Sequence, residues 1–304
     1  MEKFEINILG CGSALPTSRH LPSCQVLNFR DKLFVIDCGE GTQLQIRRQK
    51  LKFSRIGHIF ISHLHGDHCF GLPGLVSTLG LLGRTADLYI HGPEDIAKAM
   101  QPTFDFFCQH LPFKLIFLPF CTNKSTLIYE DHSLEIYTIP LSHRIPCCGF
   151  LFKEKPSSRH ILREWIDYYE IPVSWMNRLK NGEDYTSDDG TTISNNKLTS
   201  PSDPPRSYAY CSDTSYNPAI IDIINDVDLL YHESTFAEAD KTRAKETFHS
   251  TAADAANIAQ SAKVKKLILG HFSARYNDEK QILKEAKEIY PNTYISKEGM
   301  IINI

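Results

Sequence analysis

The chain has 304 residues, of which 42% are hydrophobic and 23% charged, and its 33 Lys and Arg against 36 Asp and Glu leave a net charge of −3. That content suits a folded protein with a large core and excludes disorder, collagen and coiled coil. Near-balanced charge means that any nucleic-acid partner has to be held by local patches and not by a global field.

Nine cysteines, odd in number and scattered, include no C-x-x-C pair, so a disulfide framework is not expected. The start Met1-Glu2-Lys3-Phe4-Glu5 lacks a basic stretch followed by an apolar one. No apolar run reaches the roughly 18 residues a membrane span needs. A reducing, cytoplasmic location without a membrane partner is the expectation.

In chain order, β-branched and aromatic runs predict strands at 4–9, 23–29, 33–37, 58–62 and 88–91, with helical patterns at 71–82 and 94–100 between them. An apolar alternation follows at 134–139. Residues 153–206 break the pattern: an amphipathic segment at 161–169 gives way to a polar tract at 182–205 dense in Asp, Ser, Thr, Gly and Pro. Such a composition buries little and reads as an insertion or a long surface loop. Strands return at 208–212, 229–232, 266–270 and 294–295, alternating with helical patterns at 218–225, 252–261 and 277–289. Two sheets covered by helices is the economical α/β assembly.

The chemistry concentrates in His58-Ile-Phe-Ile-Ser-His63-Leu-His65-Gly66-Asp67-His68, where an apolar strand runs into three histidines and an aspartate within six positions. In extended backbone alternate side chains share a face, so His63 and His65 can bind one metal. Gly66 lets the chain turn and carries Asp67 and His68 towards a neighbouring position, a spacing that suits two metals a few ångströms apart. Two zinc ions need about seven protein ligands and the motif supplies four. His143, Asp213 and His271 each follow a predicted strand, where α/β sites collect their ligands. Taken singly, each is an ordinary strand-end polar residue; beside this motif they become candidate ligands.

His63-x-His65-x-Asp67-His68 with His143, Asp213 and His271 resembles the metallo-β-lactamase fold, an αββα sandwich of two similar halves with metals at one edge. Three segments are similar to ribonuclease Z, the endonuclease family that trims the 3′ end of precursor tRNA. They are Leu9-Gly-Cys-Gly-Ser-Ala-Leu-Pro16-Thr17, Phe34-Val-Ile-Asp37-Cys-Gly39-Glu40-Gly41-Thr42-Gln43 and Leu269-Gly-His271-Phe-Ser273-Ala-Arg275-Tyr276. The resemblance runs from residue 4 to 295. It implies a single domain over 1–304 that binds Zn²⁺, two ions per subunit, through His63, His65, Asp67, His68, His143, Asp213 and His271. Asp67 would also act as general base, and Asp37 would orient a liganding imidazole.

Tyr231-His232-Glu233-Ser234-Thr235-Phe236 and His249-Ser250-Thr251 resemble two loops that place a Glu and His pair beside the scissile phosphate, which assigns Glu233 and His249 to catalysis. A carboxylate holding an imidazole can keep it charged near neutral pH, ready to steady a phosphate or protonate a leaving oxygen. The implied reaction cuts the trailer from precursor tRNA, leaving a 3′-hydroxyl on the tRNA and a 5′-phosphate on the trailer. A small-molecule phosphodiesterase or arylsulfatase of the same superfamily is the alternative.

Residues 153–206 occupy the slot of the family's flexible arm, which grips tRNA across a homodimer. Here that segment holds eight Lys and Arg against nine Asp and Glu, so position carries the assignment more than charge. Pro16-Thr-Ser-Arg19-His20 also departs from the Lys and Asn that family members often carry in the loop. Arg47, Arg48, Lys50, Lys52 and Arg55 put five positive charges within nine residues, suited to RNA or to a solvated helix end. His20, His58, His91, His110, His132, His160 and His232 read as structural or surface residues, His20 and His232 lying nearest the expected mouth.

Overall fold

The structure is a computed structural model that describes residues 2–304. Two compact units divide it: residues up to Tyr129, Ile136–Phe152 and Ser207–Ile304 make the first, and Glu130–Glu135 with Lys153–Arg206 make the second.

The first unit is built on two seven-stranded sheets. One runs in the order Ile301–Asn303, Phe4–Gly10, Cys24–Phe29, Lys32–Ile36, Ile56–Phe60, Leu88–Pro93 and Leu115–Phe120. Its first four strands pair antiparallel and the remainder parallel. The other runs in the order Thr293–Ile295, Leu267–Gly270, Leu229–Glu233, Ser207–Cys211, Cys148–Glu154, Leu134–Pro140 and Leu127–Glu130. Parallel strands are covered on both faces, which is why Leu33-Phe34-Val35-Ile36 and Leu267-Ile268-Leu269 are unbroken apolar runs and all buried.

Aromatic rings fill the space between the sheets, Phe60 meeting Phe150 at 5.5 Å between centroids. Helices cover the outer faces. Leu72–Leu81 buries Leu72, Leu75, Val76 and Leu79 on the core beneath the first sheet, one face of a 3.6-residue period. Ala252–Ser261 lies over the second sheet and starts with a capping box, Thr251 and Asp254 exchanging side-chain and backbone hydrogen bonds at 3.2 and 3.0 Å. The result is the αββα arrangement of two similar halves.

Local differences from the sequence reading have physical causes. The helix expected at 94–100 extends as Ile96–Phe107 through Pro102, because Ile96, Met100 and Phe104 share a face that the core buries. Residues 218–225 form only the 3₁₀ turn Pro218–Ile220, with Asn217 accepting from the Ala219 N–H at 3.2 Å and left-handed Asp226 closing the segment. The strands Leu115–Phe120, Leu127–Glu130 and Ile301–Asn303 lie at or beside sheet edges, where half-exposed side chains give no clean alternation.

The second unit is folded. The helices Arg163–Tyr168 and Met176–Lys180 and two short strand pairs enclose Ile166, Ile171, Leu179, Tyr185 and Leu198. Glu154 receives two hydrogen bonds from the Arg206 guanidinium at 2.9 and 3.1 Å, clasping the ends of the insertion. The polar tract at 182–205 was expected to bury little, yet Asn195 and Thr199 are buried. Asn195 Nδ2 donates to the carbonyls of Leu179 and Glu183 at 2.8 Å each, and Thr199 Oγ1 donates to Asn195 Oδ1 at 2.6 Å. Satisfied polar groups carry little burial penalty, so composition alone understates order here.

Leu179→Ala removes the fully buried centre of this small core and should cost about 2–5 kcal/mol locally. Limited proteolysis should then cut within Lys153–Arg206 while the rest of the chain stays resistant; unchanged resistance there would contradict the assignment of the core.

Candidate active site

The strand Ile56–Phe60 delivers the motif as anticipated. His63 follows the end of that strand, His65 is extended, and Gly66–Cys69 forms a single helical turn that redirects Asp67 and His68. A Cβ at Gly66 would come within 2.3 Å of the ring of Phe70, so a larger residue there would displace that exposed side chain. His143 follows the strand Leu134–Pro140, Asp213 follows Ser207–Cys211 and His271 follows Leu267–Gly270.

All seven predicted residues converge. His63 Nε2 lies 3.0 Å and His143 Nε2 3.3 Å from His65 Nδ1, and both Nε2 atoms lie 3.7–3.8 Å from Asp213 Oδ2. On the other side, His68 Nε2 is 3.3 Å from Asp67 Oδ2 and 3.3 Å from Asp213 Oδ1. His271 Nε2 is 3.5 Å from Asp67 Oδ2 and 3.2 Å from the same Asp213 oxygen. Asp213 thus turns one oxygen to each cluster.

The opposite nitrogen of four of the five imidazoles is held. Asp37 takes His68 Nδ1 at 2.8 Å, the Phe248 carbonyl His143 Nδ1 at 2.9 Å, Thr235 Oγ1 His271 Nδ1 at 2.9 Å and Ser62 Oγ His63 Nδ1 at 3.0 Å. Such outer contacts set tautomer and ring orientation at metal sites. Asp37 is fully buried and also accepts from the Ser62 N–H at 2.8 Å and the Tyr210 hydroxyl at 2.6 Å. Asp37 and His271 both adopt left-handed backbone, φ 54° and 59°, where their strands break off into the site.

Electrostatics fit a cation. Burial, reinforced by neighbouring imidazoles, pushes His63 below its ordinary range, and burial does the same to His65 and His143, leaving the neutral form that binds metals. Burial opposes charge on Asp67 and Asp213, yet the imidazoles of His68 and His271 hold both carboxyls below their usual range. His68 Nε2 and His271 Nε2 are buried among the described residues without a hydrogen-bond partner. A buried polar nitrogen left so is costly, and a metal ion taking the place of the proton there would remove the cost.

Glu233 is completely buried at the end of the strand Leu229–Glu233. Its Oε1 accepts from the Thr214 N–H at 3.0 Å and its Oε2 from the Thr235 N–H at 3.0 Å and hydroxyl at 2.7 Å. His249 Nδ1 meets Oε1 at 2.8 Å, so Glu233 and His249 do pair. Burial opposes charge on His249, but the adjacent Glu233 carboxylate outweighs it and lifts the imidazole to about 9.

The site floors a cleft of about 650 Å³ rimmed by Ser13, Phe70, Arg144, Arg243 and Arg275. Sequence reasoning gave no role to Thr235, which serves Glu233 and His271 together, or to the three arginines. Phe70, 63% exposed one residue beyond the helical turn, was also passed over, although its place after the motif is a usable signal. His232 lies buried within its strand with Nδ1 on its neighbour's carbonyl at 2.7 Å, away from the mouth. His58 and His91 meet at 3.0 Å inside an aromatic cluster, as structural residues do.

A family model described as anti-Pycsar protein Apyc1 matches residues 4–99, which hold the first half of the site only. Ribonuclease Z of Bacteroides fragilis (strain YCH46) is 59% identical over 304 residues, covering 100% of both chains. Ribonuclease Z of Porphyromonas gingivalis (strain W83) is 52% identical over the same length, again with full coverage. The chain belongs to the ribonuclease Z family. Its members are hydrolytic endoribonucleases of the metallo-β-lactamase superfamily, which makes metal dependence part of the assignment. The crystal structure of the short form of human tRNase Z is similar at 26% identity and a TM-score of 0.70, covering 98% of each chain. The Bacillus subtilis metallo-β-lactamase fold protein YhfI, at 17% identity and the same TM-score, shares the fold.

Asp37→Asn should weaken metal binding on the His68 side by about 10–100-fold, since the imidazole loses its anionic partner. Chelator competition followed by metal analysis should show one ion released early and one retained; two equally tight ions would contradict the role of Asp37.

Proposed function

We propose that this chain is a two-zinc endoribonuclease that removes the 3′ trailer from precursor tRNA, leaving a 3′-hydroxyl on the tRNA and a 5′-phosphate on the trailer. The observation that carries the reading is Asp213, with one oxygen towards His63, His65 and His143 and the other towards Asp67, His68 and His271, in a chain 59% identical to a ribonuclease Z. These seven residues would hold the ions, His63, His65 and His143 on one side, Asp67, His68 and His271 on the other, Asp213 between. When bound, the metal pair supplies Lewis-acid stabilisation of charge on the phosphoryl oxygens and activates water.

The chain's own groups divide the remaining work. Asp67 lines the cleft and serves as general base. Glu233, fixed by Thr214 and Thr235, holds His249 through Nδ1 and leaves Nε2 to protonate the departing oxygen. Arg144, Arg243 and Arg275 on the rim offset the charge of the RNA backbone. The insertion at 153–206 serves as the tRNA-binding arm. The reading extends to a cytoplasmic homodimer; among the described residues no helix is long and apolar enough to cross a membrane.

Purified protein should cut a precursor tRNA at the trailer junction, and a chelator should abolish the cut. Asp67→Ala should remove nearly all turnover, whereas His249→Ala should slow it by about 10²–10⁴-fold with metal content unchanged. Cleavage that survives metal removal, or metal loss in His249→Ala, would contradict the assignment. Hydrolysis of a small chromogenic phosphodiester without RNA cleavage would favour the small-molecule alternative.

A further inference from the structure

A second cluster of metal-ligating groups lies outside the site described above, where the strand Phe4–Gly10 gives way to the loop carrying Ser13 and Ala14 on the cleft rim. Cys11 and His20 from this loop meet Glu298 from the C-terminal turn, their donor atoms all within 4.8 Å of one another. Cys11 Sγ is 3.4 Å from His20 Nδ1 and 3.6 Å from the Ser296 carbonyl oxygen. His20 Nδ1 is 3.0 Å and 3.3 Å from the two Glu298 oxygens. Cys11 is fully buried and His20 only 8% exposed.

The two sulfur separations match the edges of a coordination tetrahedron, and the His20 Nδ1–Glu298 Oε2 contact, at 3.0 Å, would open by about 0.4 Å to do so. With a zinc–sulfur bond of about 2.3 Å and zinc–nitrogen or zinc–oxygen bonds of about 2.1 Å, sulfur sits roughly 3.5 Å from each lighter ligand and nitrogen roughly 3.4 Å from oxygen. The surroundings are those of a metal-bound histidine as well. His20 Nε2 lies 3.0 Å from Glu279 Oε1, the carboxylate contact that liganding imidazoles commonly make with their second nitrogen. The Leu21 N–H occupies Glu298 Oε1 at 3.0 Å, and Oε2, which lies against His20 Nδ1 at 3.0 Å, would turn to an ion that displaces the Nδ1 proton. Charge also balances: a divalent cation and Arg19, which pairs with Glu279 at 2.7 Å, offset the Cys11 thiolate and two glutamates.

We infer that Cys11, His20, Glu298 and the Ser296 carbonyl form a structural site for a thiolate-binding divalent metal such as Zn²⁺, separate from the catalytic pair. The site pins the rim loop to the C-terminal segment, since Cys11 and His20 flank Ser13 and Ala14 while Ser296 and Glu298 follow the strand Thr293–Ile295. Its role is architectural: the ion holds one wall of the cleft in place and touches no substrate.

The test exploits the difference in ligands, because the catalytic cluster offers only imidazoles and carboxylates. Full-length protein is stripped with chelator, reloaded with Co²⁺ and examined in the near ultraviolet, where cobalt bound to a thiolate shows a ligand-to-metal charge-transfer band. Wild type should show the band; Cys11→Ser should lack it and hold one ion fewer per chain. Glu279→Gln, which keeps every first ligand, should retain the band with cobalt affinity at that site lowered about 10–100-fold, and it serves as well if Cys11→Ser fails to fold. Absence of the band in wild type, its persistence in Cys11→Ser or unchanged affinity in Glu279→Gln would overturn the site and leave a hydrogen-bonded cluster.

Discussion

Asp213 is the constraint around which the site is arranged. Its carboxylate is buried, and each oxygen faces two imidazole nitrogens at 3.2–3.8 Å. A charge in that position has to be matched within a few ångströms, because an uncompensated buried ion costs several kcal/mol. The strand-end loops therefore have to deliver five imidazoles and Asp67 to one edge. A one-residue slip in the parallel pairing of Ser207–Cys211 with Leu229–Glu233 would turn the alternate face inward.

Asp37 transmits that precision from one sheet to the other. It directly follows the strand Lys32–Ile36 of the first sheet, yet it receives the Tyr210 hydroxyl from the second while holding His68 and the Ser62 backbone. With the Tyr208 hydroxyl donating to Gln25 and Ser62 Oγ to Ser212 Oγ, this satisfied polar contact fixes how the two halves meet at the site. Glu233 plays the corresponding part on the other flank, where Thr235 links it to His271 and so couples the His249 pair to the histidine cluster. Asp37 and Glu233, the two most buried carboxylates near the site, each make at least four hydrogen bonds, which is why rings on separate loops keep fixed orientations.

Much of this was legible in the residues. The histidine motif announces its own geometry because alternation in extended chain and a turn at Gly66 are local properties. His143, Asp213 and His271 were legible because each closes an apolar run. What stayed hidden is long-range. No local pattern tells that Tyr210 reaches Asp37, that Thr235 is shared by two side chains, or that His20 meets Glu298 across 278 residues of sequence. The edge strands and the helix through Pro102 escaped for a related reason, since tertiary burial and not propensity decides them. The insertion was misjudged in its polar half because Asn195 and Thr199 pair internally, a fact that composition cannot carry.

The central claim is that one carboxylate is shared by two metal ions. Anomalous diffraction from crystals of the zinc-loaded protein measures this directly. The account predicts two peaks a few ångströms apart, one beside His63, His65 and His143 and the other beside Asp67, His68 and His271, with Asp213 giving one oxygen to each. A single peak, or two peaks of which only one lies within bonding distance of Asp213, would contradict it.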